Sequence, residues 1–286
     1  MLPIAGVYRH LLMNFMGREL MNKKGIVIVI GMVLICCFTS AALAGPAMDR
    51  ILKKGTLVVG ITGAQPPLNA TAKDMKIIGL DADMARLISD NLGVKLEFAK
   101  FPFAELLPAL EKGKIDMIIS GMTMTLERNR TVAFVGPYYI SGKGILTTTG
   151  KISTLQDPQG LNKPEYKVAA LTDSTSQALV KAALPKAELV TVQNYDAAIA
   201  MLHEGKIDAL VADYPFCAYT AFRNQDKGLL AAESKLNNEP LGIAVPEDAL
   251  LINWLQNFLL VLNGSGTLQL MNKRWFGDKA WIELLP

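Results

Sequence analysis

At 286 residues the chain is long enough for one or two domains and a sizeable core. Hydrophobic residues make up 51% and charged residues 19%, which excludes a disordered or low-complexity chain. The formal charge of +3 resides in residues 1–44, which hold Arg9, Arg18, Lys23 and Lys24 against Glu19. The remainder carries 25 basic and 25 acidic groups, so nothing favours nucleic acid or an anionic membrane as a partner. Cys217 and His203 are each the single residue of their type beyond residue 44, which excludes an intrachain disulfide and a Cys- or His-cluster metal site there. No cofactor is expected.

Lys23 and Lys24 precede a charge-free apolar run, 26–38, that contains Cys36 and Cys37. Thr39, Ser40 and then Ala42-Leu43-Ala44 follow it. Basic, apolar and small residues in that order predict an export signal over 1–44, cut after Ala44, and a periplasmic protein. The alternative is an uncleaved anchor, although the run is shorter than the roughly 20 residues that cross a bilayer. Met21-Asn22-Lys23-Lys24 looks like the usual opening of such a signal, so residues 1–20 are expected to come from an upstream start.

Next in the chain, 57–61 (LVVGI) is a short β-rich run followed by the turn-prone 62–67. Asp81 and Asp83 open a helix with Met84, Leu87, Ile88 and Leu92 on one face, stopped by Gly93. Val94, Leu96 and Phe98 alternate as a strand, a helix is expected around 103–112, and 115–119 forms another strand. The pattern restarts with strands at 168–171 and 189–192 and a helix opening at 173–176. Alternating strands and helices imply parallel sheets.

Residues 110–116 (LEKGKID) are nearly duplicated at 202–208 (LHEGKID). Each reads as a helix end, a glycine cap and a turn into a buried strand, which suggests two related lobes. In parallel α/β lobes, ligands bind at loops following the carboxyl ends of strands. Here those loops are 62–68, 120–128, 173–176 and 213–216. Two lobes facing each other would close on a small molecule by a hinge.

Gly79-Leu80-Asp81-Ala82-Asp83, Pro108-Ala109-Leu110, 121–128 (GMTMTLER), Pro137-Tyr138-Tyr139, 264–268 (GSGTL) and 273–277 (KRWFG) occur in that order. Together they resemble the family 3 extracellular solute-binding proteins, the polar amino-acid receptors of ABC importers. The resemblance runs from about residue 50 to 277. It implies an α/β, two-lobe periplasmic-binding-protein (Venus flytrap) fold with a two-strand hinge and a cleft between the lobes. Lobe 1 would comprise 50–140 plus 242–286, and lobe 2 would comprise 141–241. The expected protein is a monomer that delivers an amino acid to a membrane permease of an ABC transporter.

The resemblance also implies ligand contacts. Arg128 would grip the α-carboxylate, a role that a planar, permanently charged guanidinium suits. Thr123 and the Gly121 backbone would assist it. Asp213 would take the ligand ammonium, although an Asp before Tyr214-Pro215 is also an ordinary helix cap. Ser174 and Thr175 open a helix, where hydroxyls and N–H groups suit either a carboxylate or capping. Phe103 would pack on the ligand or belong to the core. Thr62 and Gln65 belong to the first loop, which contains no acid to neutralise a cationic ligand. An uncharged L-α-amino acid is therefore expected, with Lys143 the one evident extra cation.

Enzymes share this architecture. In the cyclohexadienyl or arogenate dehydratases the proton donor is expected three residues beyond the lobe 2 Asp. That position is Phe216 here, which cannot donate a proton. A non-enzyme is expected. A ligand-sensing partner of a receptor is a further alternative.

Overall fold

A computed structural model describes residues 46–148 and 158–286. The expected export signal lies outside these residues. Among them, no helix is long and apolar enough to cross a membrane.

The first five-stranded sheet has the order β5 (Lys95–Lys100), β1 (Thr56–Ile61), β6 (Met117–Ile118), β13 (Glu239–Val245), β7 (Ala133–Ser141). Its first three strands are parallel, and β13 runs antiparallel to both β6 and β7. The second sheet repeats this plan as β10 (Glu188–Val192), β9 (Lys167–Leu171), β11 (Ala209–Asp213), β8 (Lys143–Thr148), β12 (Leu229–Ala231). Its first three strands are again parallel, and β8 is antiparallel to β11 and β12. A small sheet of β2 (Ala64–Gln65), β3 (Asn69–Thr71) and β4 (Ile77–Ile78) shapes the first loop.

Helices cover both sheets. α1 (Pro46–Lys54), α2 (Leu80–Leu92), α3 (Phe103–Glu111), α7 (Ala249–Gly264) and α8 (Thr267–Asn272) belong with the first sheet. α4 (Thr175–Ala183), α5 (Tyr195–His203) and α6 (Tyr214–Arg223) belong with the second. On α2 the expected face buries Met84 and Ile88, with Leu87 and Leu92 partly covered, and Gly93 ends the helix at φ 68°. The predicted strand 115–119 is shorter, Met117–Ile118, although the Asp116 and Ile119 N–H groups on either side still bond to β1.

The duplicated segments fold alike to the level of single hydrogen bonds. Gly113 and Gly205 both adopt left-handed φ, 65° and 67°. The Lys114 N–H reaches the Ala109 carbonyl and the Lys206 N–H reaches Met201, each at 2.9 Å, which closes both helices as Schellman caps. Asp116 then brackets Val58, and Asp208 brackets Lys167, each through its backbone N–H and one carboxylate oxygen. The same caps therefore deliver the third parallel strand beside the first in both lobes.

The lobes connect where β7 passes into β8 through Gly142 and where 232–238 return to β13. These crossings touch. A Cβ on Gly142 would stand 2.0 Å from the Asn237 carbonyl oxygen, so the approach requires glycine.

Candidate interlobe ligand site

Gly121, after the first sheet's β6, adopts φ 58°, and a Cβ there would meet Gln65 Oε1 at 2.8 Å. The bare backbone lets Gln65 lie buried in the cleft, where its amide donates to Asp213 Oδ2 from the opposite lobe. Asp213 starts α6 without capping it through its side chain. Its carboxylate turns into the cleft instead and accepts from Lys143 Nζ at 2.8 Å.

Lys143 also pairs with Glu239 Oε2 at 3.0 Å. The same oxygen accepts from Thr123 Oγ1 at 2.7 Å and Thr175 Oγ1 at 2.8 Å, one hydroxyl from each lobe. Asn237 donates to the other oxygen at 3.0 Å. Burial works to raise the Glu239 carboxyl, but Lys143, Thr123 and Thr175 outweigh it and hold it below the usual carboxylate range. Burial likewise works to lower Lys143, and Asp213 with Glu239 outweigh it, so the ammonium stays charged.

Arg128 spans the cleft. Its Nη1 donates to the Thr123 carbonyl at 2.9 Å and its Nη2 to the Asp173 carbonyl at 3.0 Å. The guanidinium lies 5.5 Å from the Phe103 ring centroid, a cation–π arrangement. Burial lowers its pKa against the opposing pull of Glu239 and Asp213. Asp173 adopts φ 56°, a left-handed conformation uncommon for a residue with a side chain.

Thr62 and Ser174 sit at the margins. The Thr62 hydroxyl donates to Asn69 at 2.7 Å. The Ser174 hydroxyl caps α4, accepting from the Gln177 N–H at 3.1 Å and donating to the Leu171 carbonyl at 2.6 Å. Beneath the first loop, Asn69 donates to Asp81, which also accepts from Tyr138 at 2.7 Å. Burial pushes the Asp81 carboxyl up to about 7.

A cavity of about 300 Å³ extends from Phe103, Thr62 and Gln65 to Phe101, Leu171, Gln193, Asn194 and Tyr195. Lys100 borders it, so Lys143 is not the one extra cation. A second cavity, about 580 Å³, opens beside Arg128, Ser174 and Thr175. Phe216, at the position of the sought acid, is buried and stacks on Tyr195 with centroids 4.1 Å apart. Sequence reasoning missed Glu239, Asn237 and Tyr195. An acid opening the otherwise apolar strand 239–245 is the one local signal for Glu239.

Two α/β lobes joined by two touching crossings, with charged and hydroxyl side chains converging between them, define a hinged solute receptor of the periplasmic-binding type. The chain matches the bacterial extracellular solute-binding proteins, family 3, over residues 57–278, and it belongs to that family. It is 26% identical to ABC transporter arginine-binding protein 1 of Escherichia coli K12 over 76% of this chain and 89% of the relative. It is 22% identical to cyclohexadienyl dehydratase of Pseudomonas aeruginosa, over 80% and 85%. Among solved structures, the ancestral amino acid-binding protein AncCDT-1, a precursor of cyclohexadienyl dehydratase, superposes with a TM-score of 0.75 at 35% identity. That likeness covers 80% of this chain and 99% of the ancestral protein.

Proposed function

We propose that the protein is a periplasmic receptor that closes on an L-α-amino acid with an uncharged side chain and delivers it to the permease of an ABC importer. The observation that carries this reading is the placement of Arg128 between the lobes, bonded to a carbonyl of each and stacked on Phe103. Three guanidinium N–H groups remain beyond those two bonds, so the group can grip a carboxylate without leaving its seat. Thr123, Thr175, the Gly121 backbone and the α4 start capped by Ser174 surround the same space. Asp213 is the ammonium partner from lobe 2. A zwitterion enclosed by closure needs both charges matched, because one left unpaired costs several kcal/mol.

The side chain of the amino acid would enter the cavity beyond Phe103, Thr62 and Gln65. Its lining residues include amides, aromatics and Lys100 and no acid, which supports an uncharged group over a cationic one. Export of the mature chain from Gly45, a monomeric state, and lobes of 50–140 plus 242–286 and 141–241 belong to the same reading.

Similarity to a dehydratase raises an enzymatic alternative. Phe216, where the acid would stand, argues against it. Thermal-shift and calorimetric titration of the mature protein against the twenty amino acids tests the proposal. Saturable binding of an uncharged amino acid, lost in Arg128→Ala, supports it, and absence of binding to all twenty defeats it.

A further inference from the structure

Both charged seats of the cleft are filled by the chain's own side chains. Asp213, the carboxylate suited to a ligand ammonium, holds the Lys143 ammonium at 2.8 Å. Thr123 and Thr175, the hydroxyl pair suited to a ligand carboxylate, hold the Glu239 carboxylate at 2.7 and 2.8 Å. The two internal ions lie 3.0 Å apart, about as close as the charged ends of one α-amino acid. Lys143 and Asp213 are each 3% exposed and Glu239 is 7% exposed, so neither internal ion can be replaced by bulk water without moving the lobes.

Resting on the reading that Asp213, Thr123 and Thr175 receive an amino acid, we infer that Lys143 and Glu239 form an internal surrogate of its head group and compete with it for the cleft. The surrogate also latches the lobes, because Glu239 Oε2 joins a lobe 1 hydroxyl to a lobe 2 hydroxyl. Binding then exchanges one ammonium–carboxylate set for another. The net charge at the base of the cleft stays constant, and apparent affinity falls by the fraction of molecules in which the seats are occupied. Lys143 and Glu239 are therefore affinity-setting residues that need not touch the bound amino acid. A permanently structural triad would behave differently, since removing its members would cost stability without improving binding.

The test compares wild type, Glu239→Gln and the charge-balanced Lys143→Met/Glu239→Gln variant, each titrated with the twenty L-amino acids by calorimetry. Small-angle scattering without amino acid reports lobe separation. The double variant is expected to bind at least tenfold more tightly than wild type and to have a larger radius of gyration. Equal or weaker binding in the double variant overturns the inference. Should that variant fail to fold, Glu239→Gln keeps the Lys143–Asp213 pair and is expected to bind several-fold more tightly, and weaker binding again overturns it. If no amino acid binds wild type or variants, the functional reading fails, and an unchanged radius of gyration would overturn the surrogate as well.

Discussion

Lys143 and Asp213 are directly opposed residues of the antiparallel β8–β11 ladder, and their side chains meet in the cleft with Nζ 2.8 Å from Oδ1. Opposed residues of such a ladder point to the same face, so strand register delivers the cation to the acid. Asp213 thus holds the Lys143 ammonium, with the Gln65 amide of the other lobe donating to its second oxygen.

Arg128→Ala and Asp213→Asn should each weaken amino-acid binding by at least ~2 kcal/mol, since each leaves a buried ligand charge unmatched. Asp213 is also buried beside Lys143, so its variant should lose stability as well, and more than that of the only partly buried Arg128. Calorimetry with urea unfolding separates the effects. Near-wild-type affinity in either variant would remove that residue from the site.

Gly142→Ala should lower stability by about 1–3 kcal/mol, the usual cost of forcing an atom into close-packed surroundings. The atom it would meet is backbone, the Asn237 carbonyl at 2.0 Å, which cannot swing aside as a side chain can. The neighbouring bond from the Lys143 N–H to Asn237, 2.7 Å, would be disturbed too. An unchanged urea midpoint would show that the crossings separate freely.

The repeat is legible in the sequence because a Schellman cap is local: Gly113 and Gly205 sit in matching heptapeptides and close their helices identically. The ordered motifs give the loop that carries Thr123 and Arg128, and the second copy of the repeat delivers the strand that Asp213 ends. The Lys143–Asp213–Glu239 cluster is not legible, because Lys143 and Asp213 are 70 residues apart and meet only through strand register. Whether Asp213 caps α6 or faces the cleft is likewise a matter of side-chain rotamer that neighbouring residues leave open. Ser174 resolves the other way, toward capping.

Asp81 should titrate near pH 7 by carbon-13 NMR, well above the ~3.9 of an unfolded aspartate. The native state then keeps a proton that the unfolded chain has released, so this group's contribution to stability falls as pH rises from about 4 to 7 and levels off above. Asp81→Asn should flatten that part of the profile. Identical slopes in wild type and variant between pH 5 and 7 would contradict the assignment.

No turnover of prephenate or arogenate is expected, because Phe216 stacks on Tyr195 where a proton donor would be needed. Ultraviolet detection of the aromatic product is the assay. Turnover abolished by mutating a cleft carboxylate such as Glu239 would overturn the receptor reading.

The most direct test of the receptor account is calorimetric titration of the purified mature protein, stripped of carried-over ligand, with each of the twenty amino acids. The account predicts one-to-one binding of an uncharged L-amino acid that disappears in Arg128→Ala. A clear preference for Arg, Lys, Asp or Glu would contradict it, since the cavity beyond Phe103 offers no acid for a cation and only Lys100 for an anion.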